Sequence, residues 1–261
     1  MIQALRLHWP EYLIEGALLG LFMVSATLVT ALFEYPDSPI HCALPSSSIR
    51  RALVGLAMGL TAVSLIYSPW GQQSGAHMNP ATTLTFLLLG KVRPWDATFY
   101  IAAQFVGGIV GVLVSKMLLG NVIAHPSISY VVTVPGSAGV AIAFLAETVI
   151  SWGLMFMVLW SANTPQIARY TGLFAGTLVF LYITFEAPFS GMSINPARTI
   201  ASAVPSGIWT ASWIYFAAPI LGMFLAAETY GATVGLPHVS CAKLNHQTHR
   251  RCIFCGYSGE K

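Results

Sequence analysis

Polar residues divide the chain into six long apolar runs, approximately Tyr12–Phe33, Ala52–Tyr67, Trp95–Leu119, Gly139–Ser161, Thr171–Ala187 and Trp209–Tyr230. About 20 apolar residues cross the roughly 30 Å hydrocarbon layer of a bilayer. Each run therefore predicts a transmembrane helix, the second and fifth needing flanking residues to reach both interfaces. Two further apolar pieces, Pro80–Gly90 and Pro196–Ser206, are too short to cross, reaching about 16 Å at ~1.5 Å per residue. Both follow an Asn. Asn is a favoured N-cap, and Pro suits the first helical position, where its missing N–H is not needed. Each piece thus predicts a half-helix that starts near the middle of the membrane. The irregular backbone leading to it is tolerated at that depth only if buried in protein or lining a water-filled cavity.

The two halves of the chain repeat one another. "SGAHMNPATT" at Ser74–Thr83 has its counterpart in "SGMSINPART" at Ser190–Thr199, and "YLIEG" at Tyr12–Gly16 in "FLAET" at Phe144–Thr148. Each half reads span, span, half-helix, span. This gives an N-terminal segment 1–10, a first repeat 11–119, a polar linker 120–138, a second repeat 139–232 and a tail 233–261. Three spans per half is an odd number, so the second repeat enters the membrane upside down. Inverted repeats commonly place the solute site at their interface near the midplane.

Composition agrees with a membrane protein. Of 261 residues, 56% are hydrophobic and 8% charged, with a mean hydropathy of +0.70; soluble domains carry about 25% charged residues. The first run is longer than a signal-peptide core and contains Glu15, so it is read as a retained helix. An even number of spans puts both termini on one side, and Lys and Arg select the cytoplasm. Arg6, Lys91, Arg93, Arg169, Lys243, Arg250, Arg251 and Lys261 fall inside on this topology, while Arg50 and Arg51 fall outside and dissent. The net charge of +3 then reflects anchoring at the inner surface. No aromatic-basic pattern points to nucleic acid. No phosphate-binding loop, nucleophile elbow or His-Glu-x-x-His points to catalysis. A secondary transporter shares inverted repeats and broken helices, but the predicted midplane offers Asn, Pro and Ala where ion coupling calls for ionisable groups.

Two Asn-Pro-Ala phrases, each behind Ser-Gly, with Arg after the second and a Glu early in the first span of each half, make the chain resemble the major intrinsic protein family, the aquaporins and aquaglyceroporins. The resemblance covers roughly residues 5–232. It implies an all-α membrane fold of six transmembrane helices plus two re-entrant half-helices, a channel for water and other small neutral solutes that excludes protons and ions, no cofactor for transport, and a homotetramer with one pore per subunit in the cell membrane. The motif residues are Asn79, Pro80, Ala81, Asn195, Pro196 and Ala197. Pore-lining carbonyls fall by resemblance on Gly75, Ala76, His77, Gly191, Met192 and Ser193, in loops expected to be extended. Glu15 and Glu147 are expected to accept hydrogen bonds from these loops. Two half-helix N-termini, each carrying roughly half a positive charge, would repel cations at the centre of the pore. Gly107, Gly108 and Gly111 suit close helix packing.

The filter is where the sequence departs from the family pattern. Arg198 supplies the expected cation; an Arg this deep in a membrane marks function by default. Ile183 stands where water-specific members have His, and Met192 takes the loop position. The second-span position, usually aromatic, falls on Met58 or Gly59, because "YSPWGQQ" carries an extra residue. These apolar side chains suggest a wider filter and keep a glycerol-type channel as the alternative. Thr199 after Arg198, in place of the glyceroporin Asp, and a short second loop argue the other way.

The tail "CAKLNHQTHRRCIFCGY" holds Cys241, Cys252 and Cys255 with His246 and His249 between them. Three thiolates and one imidazole make a tetrahedral zinc set, His246 and His249 being alternatives for the fourth position. A disordered basic tail, palmitoylation and redox sensing remain open beside a structural zinc. The tail is expected not to touch the pore. Cys42, in the outer loop, belongs to no pattern.

Overall fold

The computed structural model describes residues 1–259; Lys261, one of the positive residues counted toward orientation, lies outside them. The described residues form helices and no strand. In chain order the principal helices are α1 (Ile2–Glu34), α2 (Ser47–Tyr67), α3 (Pro80–Leu88), α4 (Pro94–Leu119), α5 (Val140–Ala162), α6 (Thr171–Phe185), α7 (Pro196–Ser206) and α8 (Ile214–Thr233). Six of them are long and apolar enough to cross a membrane. The other two, α3 and α7, are the half-helices.

Element ends differ from the apolar runs where polar side chains find partners or the backbone turns. α1 starts at Ile2, not near Tyr12, because its polar first turns are satisfied: His8 Nδ1 lies 2.8 Å from Asp96 Oδ1, and the Tyr12 hydroxyl donates to the same oxygen at 2.6 Å. α8 starts at Ile214, not Trp209, because Gly207 (φ 72) ends α7 in a left-handed turn and residues 210–213 turn again before the helix begins. α6 stops at Phe185, and a short helix, Ala187–Ser190, carries the chain back toward the centre.

Packing follows the repeat. α1 lies against α4 and α5 against α8, while α2 and α6 pack on each other across the pseudo-twofold axis. Two glycines of α4 serve the first of these pairs: Gly107 and Gly111 face Gly16 and Gly20, and a Cβ at Gly107 would strike the Gly16 carbonyl, while Gly108 lies against Ala201 of α7. Without a hydrophobic force between helices in lipid, such backbone-to-backbone approach is a main source of adhesion. The outward faces carry Leu13, Leu21, Leu28, Val106, Leu113 and Leu145, all exposed, with Trp9, Trp95, Trp209 and Trp213 exposed near helix ends, the usual interfacial position for that residue.

The two arginines that dissent from the charge rule are locally bound. Arg50 is buried, pairs with Glu34 at 3.1 Å and donates to the carbonyls of Leu44 and Pro45. Arg51 donates to the Thr184 carbonyl at 2.9 Å. The start of α1 and the tail meet at one end of the bundle, where Arg251 pairs with the fully buried Glu11 at 2.7 Å.

Candidate functional site

The half-helices α3 and α7 meet at the centre of the bundle through their capping residues. The Asn79 side chain accepts from the Ala81 N–H, and that of Asn195 from the N–H groups of Ala197 and Arg198, so each caps its own helix. Each also reaches across. Asn79 Nδ2 donates to the Ile194 carbonyl, and Asn195 Nδ2 to the Met78 carbonyl, both at 2.7 Å. An amide NH₂ has two donors, which leaves a second N–H on each Asn for the cavity that both residues line.

The sequence predicts extended loops in front of the caps, and the structure corrects this. Ala76 (φ 55), Met78 (φ 48), Met192 (φ 53) and Ile194 (φ 50) are left-handed and alternate with ordinary residues. Each such non-glycine residue costs about 1–2 kcal/mol, so something must hold the loops. Glu15 does so in the first half: Oε1 accepts from the Ser74 hydroxyl (2.7 Å) and the His77 N–H (3.0 Å), and Oε2 from the Met78 N–H (2.7 Å) and Gln104 (3.0 Å). Glu147 repeats the pattern with the Ser190 hydroxyl (2.7 Å) and the N–H groups of Ser193 (2.6 Å) and Ile194 (2.7 Å). Both carboxylates are fully buried.

A second repeated clasp was not singled out from the sequence. The Tyr100 hydroxyl donates to the Ser74 carbonyl at 2.8 Å, and that of Tyr215 to the Ser190 carbonyl at 2.6 Å. The signal was present, since each Tyr stands early in the last span of its half, but aromatic residues near span ends are common enough to hide it. Thr83 and Thr199 form a third pair, bonding His77 Nδ1 (3.0 Å) and Ser193 Oγ (2.6 Å) respectively.

Between these parts runs a cavity of about 280 Å³, many times the roughly 10–15 Å³ one water needs. Asn79, Asn195, Ala76, His77, Gly191, Met192 and Ser193 line it, as do Arg198, Ile183 and Met58. Gly59 does not: it faces α6, and a Cβ there would lie 2.5 Å from the Gly176 carbonyl oxygen. Of the two second-span candidates, Met58 is the one that borders the cavity. Arg198 donates to the Val131 carbonyl at 2.7 Å, which fixes its guanidinium at the wall.

Gly75 departs from its expected place. It is absent from the cavity lining, and its carbonyl accepts the backbone N–H of Leu244 at 3.1 Å. The tail thus touches the pore, contrary to the sequence expectation. Ala242 offers its carbonyl to His77 Nε2 at 2.7 Å, and the Phe254 ring stacks on the His77 ring at 5.4 Å between centroids. Leu244 itself lines the cavity. Lys243, buried, donates to the carbonyls of Gln72 (2.7 Å) and Arg251 (2.6 Å); burial lowers the pKa of its ammonium. Four of the tail's donor atoms, from Cys241, His246, Cys252 and Cys255, lie within 4.8 Å of one another. His246, and not His249, completes that set. The hydrogen bond from Cys241 holds the Cys252 thiol well below the usual thiol range, with His246 adding to the effect, and raises Cys241 in return.

The sequence profile described as Major intrinsic protein matches residues 9–230 and ends before the tail. The chain is 38% identical over 216 residues to Aquaporin NIP2-2 of Zea mays, covering 81% of this chain and 71% of that protein. It is 34% identical over 239 residues to Aquaporin NIP6-1 of Arabidopsis thaliana, covering 90% and 72%. The X-ray structure of the aquaglyceroporin from Plasmodium falciparum is similar in fold, with a TM-score of 0.73 at 20% identity over 88% of this chain and 98% of that one.

Proposed function

The chain belongs to the major intrinsic protein family and is a membrane channel for water and small solutes, and from that premise we propose how its own residues conduct and select. The observation that carries the reading is the pair of capped half-helices, α3 and α7, opening on one cavity with Asn79 and Asn195 at their tips. Water passes by exchanging hydrogen bonds with the free Asn N–H groups and with loop carbonyls of Ala76, His77, Gly191, Met192 and Ser193. Polar spots on an otherwise apolar wall replace hydration without binding tightly, which conduction requires. The two macrodipole ends, each worth roughly half a positive charge, oppose a hydronium or cation at the midpoint, and the Arg198 guanidinium opposes it again at the filter.

Arg198, Ile183, Met58 and Met192 form that filter. With no His or aromatic ring among them, its walls are apolar on three sides, which favours passage of a small uncharged solute with methylene groups, such as glycerol, in addition to water. The repeats 11–119 and 139–232 each build half of the pore. Both termini face the cytoplasm, the dissenting Arg50 being paired with Glu34 and Arg51 bound to the Thr184 carbonyl. The exposed apolar faces meet lipid and sister subunits in a homotetramer of the cell membrane. In the tail, Cys241, His246, Cys252 and Cys255 hold a structural zinc.

Stopped-flow light scattering on proteoliposomes, with sucrose and then glycerol as osmolyte, tests this. Shrinkage in sucrose faster than in protein-free liposomes and with a low activation energy, followed in glycerol by re-swelling that is also faster, is expected. Water flux accompanied by a proton current would overturn the selective-channel reading.

A further inference from the structure

Residues 239–259 contain no helix or strand, yet Val239, Cys241, Ala242, Lys243, Leu244 and Cys252 are buried. A segment this short lacks a core of its own. Two things hold it. One is the mouth of the pore on the side of the termini, where Leu244, Ala242 and Phe254 bond or stack on Gly75 and His77. Gly75 is shaped for the contact: it is left-handed (φ 99), and a Cβ there would lie 3.1 Å from the Phe254 ring and 3.2 Å from the Lys243 side chain. The other is the Cys/His set. Cys241 Sγ and Cys252 Sγ are 3.4 Å apart, and His246 Nε2 and Cys255 Sγ 3.1 Å. A tetrahedral zinc with Zn–S near 2.3 Å spaces its sulfurs roughly 3.8 Å apart, so the four atoms need only small shifts to enclose one ion.

The two holds share one piece of backbone. Leu244 lies three residues after Cys241 and two before His246, and Phe254 lies between Cys252 and Cys255. The ligands therefore bracket both side chains that press on the pore loop. Leu244 lines the same cavity as Ile66, Ala76, His77 and Val158 and belongs to one buried cluster with Ile66, Ala76 and Val158. We infer that zinc bound by Cys241, His246, Cys252 and Cys255 holds the tail across this mouth with Leu244 as the constriction, so that the channel conducts less when metal is bound and more when it is removed. The inference rests on the zinc and channel readings above and adds the coupling between them. Binding displaces the protons that remain on the thiols, which pass to solvent, and its free energy adds to the ordering of the segment. Loss of the ion leaves the segment held by the contacts of Leu244, Ala242 and Phe254 with the pore loop and those of Lys243 and Arg251, without the cross-link between its two ends.

The experiment uses the full chain, purified without a histidine tag and reconstituted into proteoliposomes. Zinc content is read by elemental analysis, and water permeability by stopped flow, before and after a membrane-permeant chelator. One zinc per subunit is expected, with permeability rising several-fold on chelation and falling again on addition of zinc alone. Cys252→Ser with Cys255→Ser should lose the zinc and conduct at the chelated level in both conditions. Leu244→Ala should keep the zinc and conduct at the higher level, which separates the constriction from the clamp. Circular dichroism and subunit assembly should stay unchanged in both. Zinc bound but equal flux in loaded and stripped wild-type channels would overturn the gate and leave the channel reading standing. No zinc in zinc-loaded protein would overturn the metal site. No flux in either state of a correctly assembled protein would overturn the channel reading, and the gate with it.

Discussion

Asn79 and Asn195 are tied into each other's loops: each donates its side-chain N–H, at 2.7 Å, to the carbonyl just before the other, that of Ile194 in one direction and Met78 in the other. Each residue therefore caps one half-helix and positions the opposite one. The reciprocity makes the two copies of the motif structurally interdependent.

Asn195→Ala should lose two kinds of bond together. Loss of the cap costs about 1 kcal/mol, and the orphaned Met78 carbonyl roughly 1–3 kcal/mol more if it stays buried. The expected outcome is a thermal midpoint lower by several degrees and a reduced water permeability per assembled channel. Thermal unfolding in detergent and stopped flow on the same preparation check both. Asn195→Asp keeps the acceptor for α7 and should recover part of the stability but little of the cross-link.

Glu147 holds Ser190, Ser193 and Ile194, and Glu15 the matching set, from fully buried positions. Glu147→Ala would leave two backbone N–H groups and a hydroxyl without an acceptor around left-handed Ile194. At about 1–3 kcal/mol for each orphaned group, the loop should collapse, and assembled protein should fall sharply in size-exclusion profiles. Glu147→Gln retains one accepting oxygen and should assemble better while conducting less. Equal yield of the Ala variant and the natural protein would show that the carboxylate is not what holds the loop.

Much of this architecture was legible in the sequence for a physical reason. A bilayer sets the length of an apolar run, so six spans and two half-length pieces read directly, and Asn-Pro marks a helix start whatever surrounds it. Glu15 and Glu147 stood out because they recur at matching places in the two repeats, and the family resemblance implied their bonds to the loops. The residues that escaped notice make contacts set by tertiary placement. Tyr100 and Tyr215 look like ordinary span-end aromatics. Leu244 and Phe254 look like parts of a polar tail, and only the fold brings them to Gly75 and His77. The left-handed loop residues were equally hidden, since Ala76 and Met192 have no compositional sign of an unusual φ.

Tyr100→Phe and Tyr215→Phe test the hidden clasp. Each removes one hydrogen bond to a loop carbonyl, of Ser74 or Ser190, worth about 0.5–1.5 kcal/mol net. The two sites lie in opposite repeats, so their effects on the thermal midpoint should be similar and should add, as distant sites generally do. A double variant no less stable than either single one would argue against the matched roles.

Arg198 is held at the cavity wall by the Val131 carbonyl, so Arg198→Val removes a fixed charge and widens the passage without disturbing the cap, whose contribution at this position is a backbone N–H. The variant should assemble, pass glycerol faster and leak cations, read as solute re-swelling and as conductance in planar bilayers. An unchanged solute profile in an assembled variant would place the filter elsewhere.

Met58 and Gly59 are neighbours on α2 with opposite consequences. Met58 lines the cavity and is buried among Val179, Met192 and Ile194, whereas Gly59 lies so close to α6 that a Cβ would stand 2.5 Å from the Gly176 carbonyl oxygen. Gly59→Ala must push the two helices apart and should destabilise the protein by about 1–3 kcal/mol, the usual cost of overpacking, with the solute preference of the surviving channels unchanged. Met58→Ala leaves the helix pair intact but enlarges the filter, so glycerol flux should rise relative to water flux. A chain in which Gly59→Ala altered selectivity while Met58→Ala altered only stability would reverse the assignment of the second-span filter position.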